Sequence, residues 1–344
     1  MRGSAGRSNL SPKRLLRNRS LHPVPGRIHC LELPTPFPVG PVNVYLVEGR
    51  EPILIDAGPN TREAWDGLLQ GLQGLGATVD QIRHIMITHG HADHYGLASR
   101  IAEASGALVW VHQGDLEMVE DYPRALHAWL AFLRGFLPET GLEDAWIERF
   151  CRGIEKRQDY AAPVRASHLL RDGERLQLNG IALTVIHTPG HSPGSICLYV
   201  AAERLLFAGD HLLKTITPNP VLQSFPDFFG ERFQGLVQYF DSLKKLERFP
   251  IARILPGHGQ EIADRDARLR EVREHSEARE ARFLELLKKG ELTIMQAKEG
   301  LFPGLPDSQT LLALFDVIGH LDLLRRAGAV RVERQGGLLY AKAA

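Results

Sequence analysis

Four apolar runs in this chain each end in a turn punctuated by glycine or proline, and each turn carries a histidine or an aspartate. Ile85 to Thr88 leads into His89-Gly90-His91-Ala92-Asp93-His94, and Val185 to Thr188 leads into Pro189-Gly190-His191-Ser192-Pro193-Gly194. Leu205 to Ala208 leads into Gly209-Asp210-His211, and Ile254-Leu255 into Pro256-Gly257-His258-Gly259. In sheet-based α/β folds, sites form where several strand ends converge on one edge. Imidazole nitrogen and carboxylate oxygen are ligands that zinc, iron and manganese accept. His89 and His91 sit two apart, so an extended backbone points both rings the same way. Asp93 and His94 begin a second pair aimed elsewhere, an arrangement suited to two metals. A surface loop that happens to be rich in histidine would explain the first cluster, but not the three that follow it.

The rest of the chain fits a layered fold around those ends. Strands are expected at Arg27 to Leu33, Val42 to Val47 and Pro52 to Gly58; the last is apolar on both faces, as a central strand is. Asp56 at its end could orient a ligand histidine or cap the following turn, and the sequence favours neither. A helix near Thr61 to Leu75 places Trp65, Leu68, Leu69 and Leu72 on one face. A further helix runs to Glu103, with a strand at Ala107 to Val111, so strand and helix alternate in the α/β manner.

Residues 115–160 interrupt the rhythm with a helical hairpin. Pro123 opens a helix carrying Leu126, Trp129, Leu130, Leu133 and Leu137, and Pro138 stops it. A second helix, Glu143 to Lys156, stacks Trp146, Ile147, Phe150 and Ile154. The pair reads as a lid over an apolar substrate channel, with a packed insertion as the alternative. Strands resume at Glu174 to Leu178, Ile181 to His187, Ser195 to Val200 and Arg204 to Phe207. A Pro-containing loop at 214–230, a helix from Arg232 to Phe249 and a strand at Ala252 to Leu255 follow.

A charged helix from Asp264 to Lys289 is expected to end at Gly290 as its C′ residue. Beyond it, Leu292 to Gly300 and Asp307 to Gly319 read as helices, with His320 to Ala327 continuing or restarting the second. Val330 to Glu333 and Leu338 to Ala341 flank a Gly336-Gly337 turn. Small helices followed by a hairpin resemble a winged helix. The domain reading is a basic lead at 1–26, a catalytic domain at 27–262, a linking helix at 263–290 and a winged-helix-like domain at 291–344.

Lys+Arg and Asp+Glu both number 41, so no global charge recruits nucleic acid or an anionic membrane. No apolar run approaches a transmembrane span. Cys30, Cys151 and Cys197 are scattered and odd in number, which argues against a disulfide framework and for a reducing, cytoplasmic setting. The first 31 residues hold seven basic side chains and no acid. They read as a disordered lead or an over-long start, with an organelle presequence as the other reading.

The ordered set His89-x-His91-x-Asp93-His94, His191, Asp210 and His258 resembles the metallo-β-lactamase superfamily over roughly residues 28–262. The resemblance implies a four-layer αββα sandwich, two mixed sheets face to face with helices outside. It implies that His89, His91 and His191 hold one divalent metal, that Asp93, His94 and His258 hold a second, and that Asp210 bridges them. The carboxylate at 210 separates the chain from the subclass of antibiotic-hydrolysing enzymes with cysteine there. Hydrolysis by a hydroxide shared between two cations follows, because a bound metal lowers the pKa of water to about 7. Asp93 could also orient the nucleophile, and His211, adjoining Asp210, could face substrate or back a ligand. Zinc is the expected metal, with iron or manganese suited to the same donors.

The leading expectation is ester or thioester hydrolysis in the manner of the glyoxalase II-like branch, on a small-molecule substrate with an acyl chain. A metal-dependent endoribonuclease is the alternative, since a related mitochondrial branch also carries a C-terminal winged helix. Against it, six basic residues balance six acidic ones in 291–344; a nucleic-acid wing is normally basic. Arg325, Arg326, Arg331 and Arg334 leave a weak patch. A mononuclear iron sulfur dioxygenase uses nearly the same motif, and the C-terminal module could instead build a homodimer or a substrate wall. Lys214 is a weaker candidate for an anionic substrate group. His112, His127, His168, His275 and His320 read as packed or surface residues, and Tyr45 and Tyr95 as structural.

Overall fold

The computed structural model describes residues 28–222 and 233–344; the basic lead and part of the 214–230 loop lie outside them. The first half supplies β1 (Ile28–Leu33), β2 (Val42–Val47), β3 (Ile53–Ile55), α1 (Arg62–Gly74), β4 (His84–Met86), α2 (Ala92–Tyr95), α3 (Ala98–Ser105) and β5 (Leu108–His112). Next come α4 (Leu116–Glu120), α5 (Tyr122–Phe136), α6 (Asp144–Glu155) and β6 (His168–Leu170). The second half supplies β7 (Arg175–Leu178), β8 (Ile181–His187), β9 (Ile196–Val200), β10 (Leu205–Gly209), α7 (Gly235–Leu246), β11 (Arg253–Pro256) and α8 (Arg265–Leu287). Last are β12 (Leu292–Thr293), α9 (Ile294–Leu301), α10 (Thr310–Arg326), β13 (Val330–Gln335) and β14 (Leu338–Ala343).

The strands β1 to β6 form one mixed sheet in sequence order, and a second sheet runs β11-β10-β9-β8-β7. Side chains alternate across each strand, and here both faces are apolar because both are covered. Along β2, Tyr45 and Val47 join a core with Leu183, Leu198 and Phe207 of the facing sheet. Val42, Val44 and Leu46 point the other way, toward Leu68 and Leu72 of α1 and Ile101 of α3. Along β10, Leu205 and Phe207 enter the inter-sheet core, whereas Leu206 and Ala208 pack beneath Leu243 of α7 and Leu269 of α8. Helix, sheet, sheet and helix thus stack as an αββα sandwich.

The strand and helix boundaries depart from the sequence reading in a few places. Leu69 is 36% exposed, because α1 turns Ala64 and Gly71 inward beside Leu68 and Leu72. The three-residue β6 was not expected; it exists because β5 offers it a parallel edge. Leu292 and Thr293 pair with β14 instead of starting a helix. Helix α8 stops at Leu287 with Lys288 as its cap, so Gly290 lies beyond the C′ position. His320 sits inside one continuous α10. Among the described residues, no helix is long and apolar enough to cross a membrane.

The helical hairpin and the C-terminal elements share a single apolar core. Leu130, Leu133, Ile147 and Cys151 of α5 and α6 cluster with Phe283 of α8, Ile294 of α9, Leu314 and Ile318 of α10, and Leu339 of β14. Residues 122–155 and 283–341 therefore form one lobe set against the sandwich. Within it β12, β14 and β13 make a small antiparallel sheet.

Candidate metal centre

The C-terminal end of β4 in one sheet and those of β8, β10 and β11 in the other lead into turns that meet at one rim. Three overlapping groups of ligand atoms gather there: His89, His91 and His191; His89, His94 and Asp210; and Asp93, His94 and His258. Within each group the atoms lie within 4.8 Å of one another. His89 Nε2 is 3.0 Å from His91 Nδ1. His258 Nε2 is 3.3 Å from Asp93 Oδ2. Asp210 stands between the groups, its carboxylate 3.5 Å from His94 Nε2 and 3.7 Å from both His191 Nε2 and His258 Nε2. The seven residues singled out as ligands by resemblance are thus brought together.

Four of the five histidines are anchored from behind. His94 Nδ1 donates to Asp56 Oδ2 at 2.8 Å, His191 Nδ1 to the Asn219 carbonyl at 2.8 Å, and His258 Nδ1 to the Pro41 carbonyl at 2.7 Å. His89 Nδ1 meets Thr88 Oγ1 at 3.2 Å, and the Thr88 hydroxyl donates onward to Asp56. Such partners set the tautomer and aim the opposite nitrogen. The aimed atoms include His94 Nε2, His191 Nε2, His258 Nε2 and Asp210 Oδ1, all buried and without a hydrogen-bond partner. Orphaned buried polar atoms are rare. Four of them converging on one point is what a bound cation would satisfy, so the residues fit a divalent metal.

The electrostatics agree. Burial, and then the neighbouring His191, push the His91 pKa down to about 3. A neutral imidazole with a free lone pair is the form that ligates. At His94 burial is outweighed by Asp210, Asp56 and Asp93, which together hold its pKa well above the ordinary value. The same field favours a metal cation in the proton's place. Gly257 is needed for the approach of β11: a Cβ there would lie 2.4 Å from Asp210 Oδ1 and 2.7 Å from His94 Cε1.

Asp56 settles the choice left open by the sequence. It occupies the left-handed region at φ 60°, and its two oxygens accept from the Thr88 N–H, the Thr88 hydroxyl and His94. Asparagine tolerates that backbone, but its amide cannot accept all three bonds. Asp56→Asn is therefore expected to fold and to bind zinc roughly 10–100-fold more weakly. Competition with a chelating dye would measure this, and wild-type affinity would remove Asp56 from the ligand-orienting role.

Three supporting residues were not visible in the sequence. Asp115 accepts from the Gly90 and Gly194 N–H groups and the Ser192 hydroxyl, tying the first two ligand loops together. Asn43 Nδ2 donates to the carbonyls of Pro256 and Gly259, on either side of His258. Asn219 backs His191. None belongs to a motif; each is a lone polar residue on an apolar strand or a loop.

Other candidates fall away from the centre. His211 is 1% exposed, packs edge-to-face on Tyr239 and does not line the cavity over the metal groups. Burial, followed by His191 and Lys245, pushes its pKa down to about 3. Lys214 donates to Gln260 on the surface. Tyr45 and Tyr95 donate to the carbonyls of Pro256 and Met118. His320 is buried in α10, and Cys151 and Cys197 are buried free thiols.

A cavity of about 500 Å³ opens over the centre. His91, Asp93, His191 and Asp210 form its floor, and its walls include Met118, Tyr122, Leu126, Trp129, Ile154 and Val221. Val39, Ile216 and Leu312 also line it, yet each is at least 38% exposed, so the mouth is apolar too.

The sequence model of the metallo-beta-lactamase superfamily matches residues 37–258. The probable metallo-hydrolase YqjP of Bacillus subtilis (strain 168) is 29% identical over 325 residues, covering 91% of this chain and 97% of that protein. An acyl-coenzyme A thioesterase of Gallus gallus, MBLAC2, is 30% identical over 229 residues, 63% of this chain and 72% of that protein. The crystal structure of the metallo-beta-lactamase family protein TTHA1429 from Thermus thermophilus superposes with a TM-score of 0.76 at 30% identity, covering 92% of this chain and 98% of that one.

Proposed function

Because the chain belongs to the metallo-beta-lactamase superfamily, and its metallo-hydrolase relatives and histidine–aspartate centre make it a metal-dependent hydrolase, we propose that its substrate is a thioester of an apolar carboxylic acid. The observation that carries this reading is the cavity wall. Tyr122, Leu126, Trp129, Ile154 and Val221 face the ligand set with apolar surface suited to an acyl chain. The acyl-coenzyme A thioesterase among the relatives supports it.

We assign His89, His91 and His191 to one ion and Asp93, His94 and His258 to a second, with Asp210 between them. The completeness of the second group supports two ions over a mononuclear iron centre. Zinc suits this nitrogen-and-oxygen set, as do iron and manganese. Bound divalent ions supply a water of lowered pKa and polarise the carbonyl oxygen. The protein's own part begins with Asp93, which lines the cavity floor. Burial would raise its pKa, but His94 and His258 more than offset this, so at neutral pH Oδ2 is a carboxylate oxygen able to take a proton from the attacking water. A thiol, with an ordinary pKa near ~8.5, departs as thiolate without a separate acid. The apolar walls hold the acyl chain and exclude competing water.

The nuclease reading has less support. Arg326 pairs with Asp241, Arg334 with Glu139 and Arg325 with Asp322, so much of the weak basic patch is neutralised within the chain.

A panel of acyl thioesters, lactones and phosphodiesters, offered to zinc-, iron- and manganese-loaded protein, tests the reading. Thioester turnover above an Asp210→Ala control is expected; turnover of phosphodiesters alone would overturn it. The chain-binding wall has its own check. Ile154→Trp should lower kcat/KM for a decanoyl thioester by roughly tenfold or more and leave an acetyl thioester unaffected. Equal losses on both would remove that wall from substrate binding.

A further inference from the structure

We propose that Asn219 and Arg268 are positioning residues through which helices α8 and α10 set the geometry of the His89–His91–His191 group. The proposal rests on the metal-hydrolase reading and concerns how these two helices, beyond residue 258 where the family match ends, act on a segment within it.

The partner of His191 Nδ1 is a backbone carbonyl, that of Asn219, at 2.8 Å. Asn219 lies in a segment without regular secondary structure, so the direction of that carbonyl depends on what holds the segment. Packing does so only in part, at the buried Pro218 and Pro220. Ile216, Thr217, Pro218 and Asn219 line the metal cavity of about 500 Å³ on one side and a second cavity of about 560 Å³ on the other. A strap with open space on both faces has few dispersion contacts to fix it.

Hydrogen bonds from α8 and α10 complete the hold. Asn219 Nδ2 donates to the Leu312 carbonyl of α10 at 2.8 Å. Arg268 of α8, only 9% exposed, donates Nε to the Leu213 carbonyl at 2.7 Å and Nη2 to the Ile216 carbonyl at 2.9 Å. Its third arm, Nη1, donates to Glu271 and holds the fork in place. A planar guanidinium spans two carbonyls at once; a lysine ammonium offers one flexible point charge. Tension thus runs from α8 and α10 through the strap to one ligand histidine, whereas His94 and His258 are backed by Asp56 and Pro41 within the sandwich. The consequence is selective: loosening the strap should disturb the three-histidine group and spare the Asp93–His94–His258 group.

The test uses the full-length chain, stripped of metal and titrated with zinc against a chromophoric chelator, and separately with cobalt(II) followed by visible absorption. Asn219→Ala and Arg268→Lys are each expected to weaken binding of one ion by about 10–100-fold, to shift its cobalt bands, and to leave the other ion unchanged. Thr61→Ala is the comparison. It removes the hydroxyl that caps α1 at the Ala64 N–H, and should lower thermal stability while leaving both affinities and the spectrum as in the wild type. If Asn219→Ala yields no soluble protein, Arg268→Lys decides in the same way. Wild-type affinity and spectrum in the folded variants would overturn the proposal, as would an equal loss in Thr61→Ala. A wild-type chain that takes up no zinc would overturn both this proposal and the reading beneath it.

Discussion

Asp210→Ala is expected to abolish hydrolysis, with kcat falling at least about 10³-fold while the chain remains folded. Among the described residues, Asp210 is the one carboxylate within 3.7 Å of histidines from both ligand groups, His191 on one side and His94 and His258 on the other. Burial alone would raise its pKa; His94 foremost, then His258 and His191, hold it below the usual carboxylate range. At neutral pH it is therefore an anion, and it offsets the charge that two cations would bring into a buried site. If Asp210 is shared between two ions, as proposed, alanine would remove that ligand and the charge that separates them. Zinc content should fall from two ions to one or fewer, measurable by elemental analysis on gel-filtered protein. Stability without metal should fall as well, because His94, His258 and His191 lose the buried anion they are paired with. Two ions and activity within tenfold of wild type would exclude a bridging role.

The second large effect falls on stability. Asp115→Ala should cost roughly 3–5 kcal/mol, a large fraction of the ~5–15 kcal/mol that holds a typical native state. Its side chain is 5% exposed, with Oδ2 accepting from the Gly90 N–H at 2.7 Å and the Ser192 hydroxyl at 2.6 Å, and Oδ1 from the Gly194 N–H at 2.8 Å. Desolvation raises its pKa above the ordinary value despite those three bonds. The alanine variant leaves the buried Gly90 and Gly194 N–H groups without an acceptor, each costing about 1–3 kcal/mol, and leaves the Ser192 hydroxyl only its contact with Ser195. No shift of the chain can replace the contact cheaply. Gly194 already lies so close that a Cβ there would meet the Asp115 backbone nitrogen at 2.4 Å. Because Gly90 stands between His89 and His91, and Ser192 follows His191, metal affinity should fall with stability. Urea denaturation of the metal-free protein measures the first effect alone; a loss under about 1 kcal/mol would mean that water replaces the carboxylate.

The difference between Asp210 and Asp115 describes what the sequence can disclose. Asp210 follows an apolar strand and a glycine, and three other strand ends repeat the pattern, so periodicity and punctuation reveal it. Asp115 follows a strand as well, but its partners are backbone groups 25 and 79 positions away. Nothing local marks a residue whose role is to join two distant loops. Asn43, whose acceptors lie 213 and 216 positions on, is hidden for the same reason. Secondary structure was legible where burial is continuous, as in β2, β9 and β10, and not where an element owes its existence to a neighbour, as β6 does to β5. The lobe was the larger omission. Periodicity showed the helices at α5 and α6 to carry apolar stripes, but it could not show that α10, buried on nearly every side, packs against them.

That shared core has a consequence for how the chain is made. Residues 122–155 leave the ribosome before much of what buries them, since Phe283, Ile294, Leu314 and Leu339 come later. At bacterial or eukaryotic rates of ~5–20 residues per second, the delay between Glu155 and Phe283 is on the order of ten seconds. Throughout it the apolar stripes of α5 and α6 have only each other and, once made, Val221 and Leu222 as native cover within the lobe. The sandwich can close around its own strands during synthesis; the lobe above the metal centre cannot. The last part of the molecule to become ordered is thus the wall that would select its substrate, and nascent chains at this stage are natural clients for chaperones that bind exposed apolar helices.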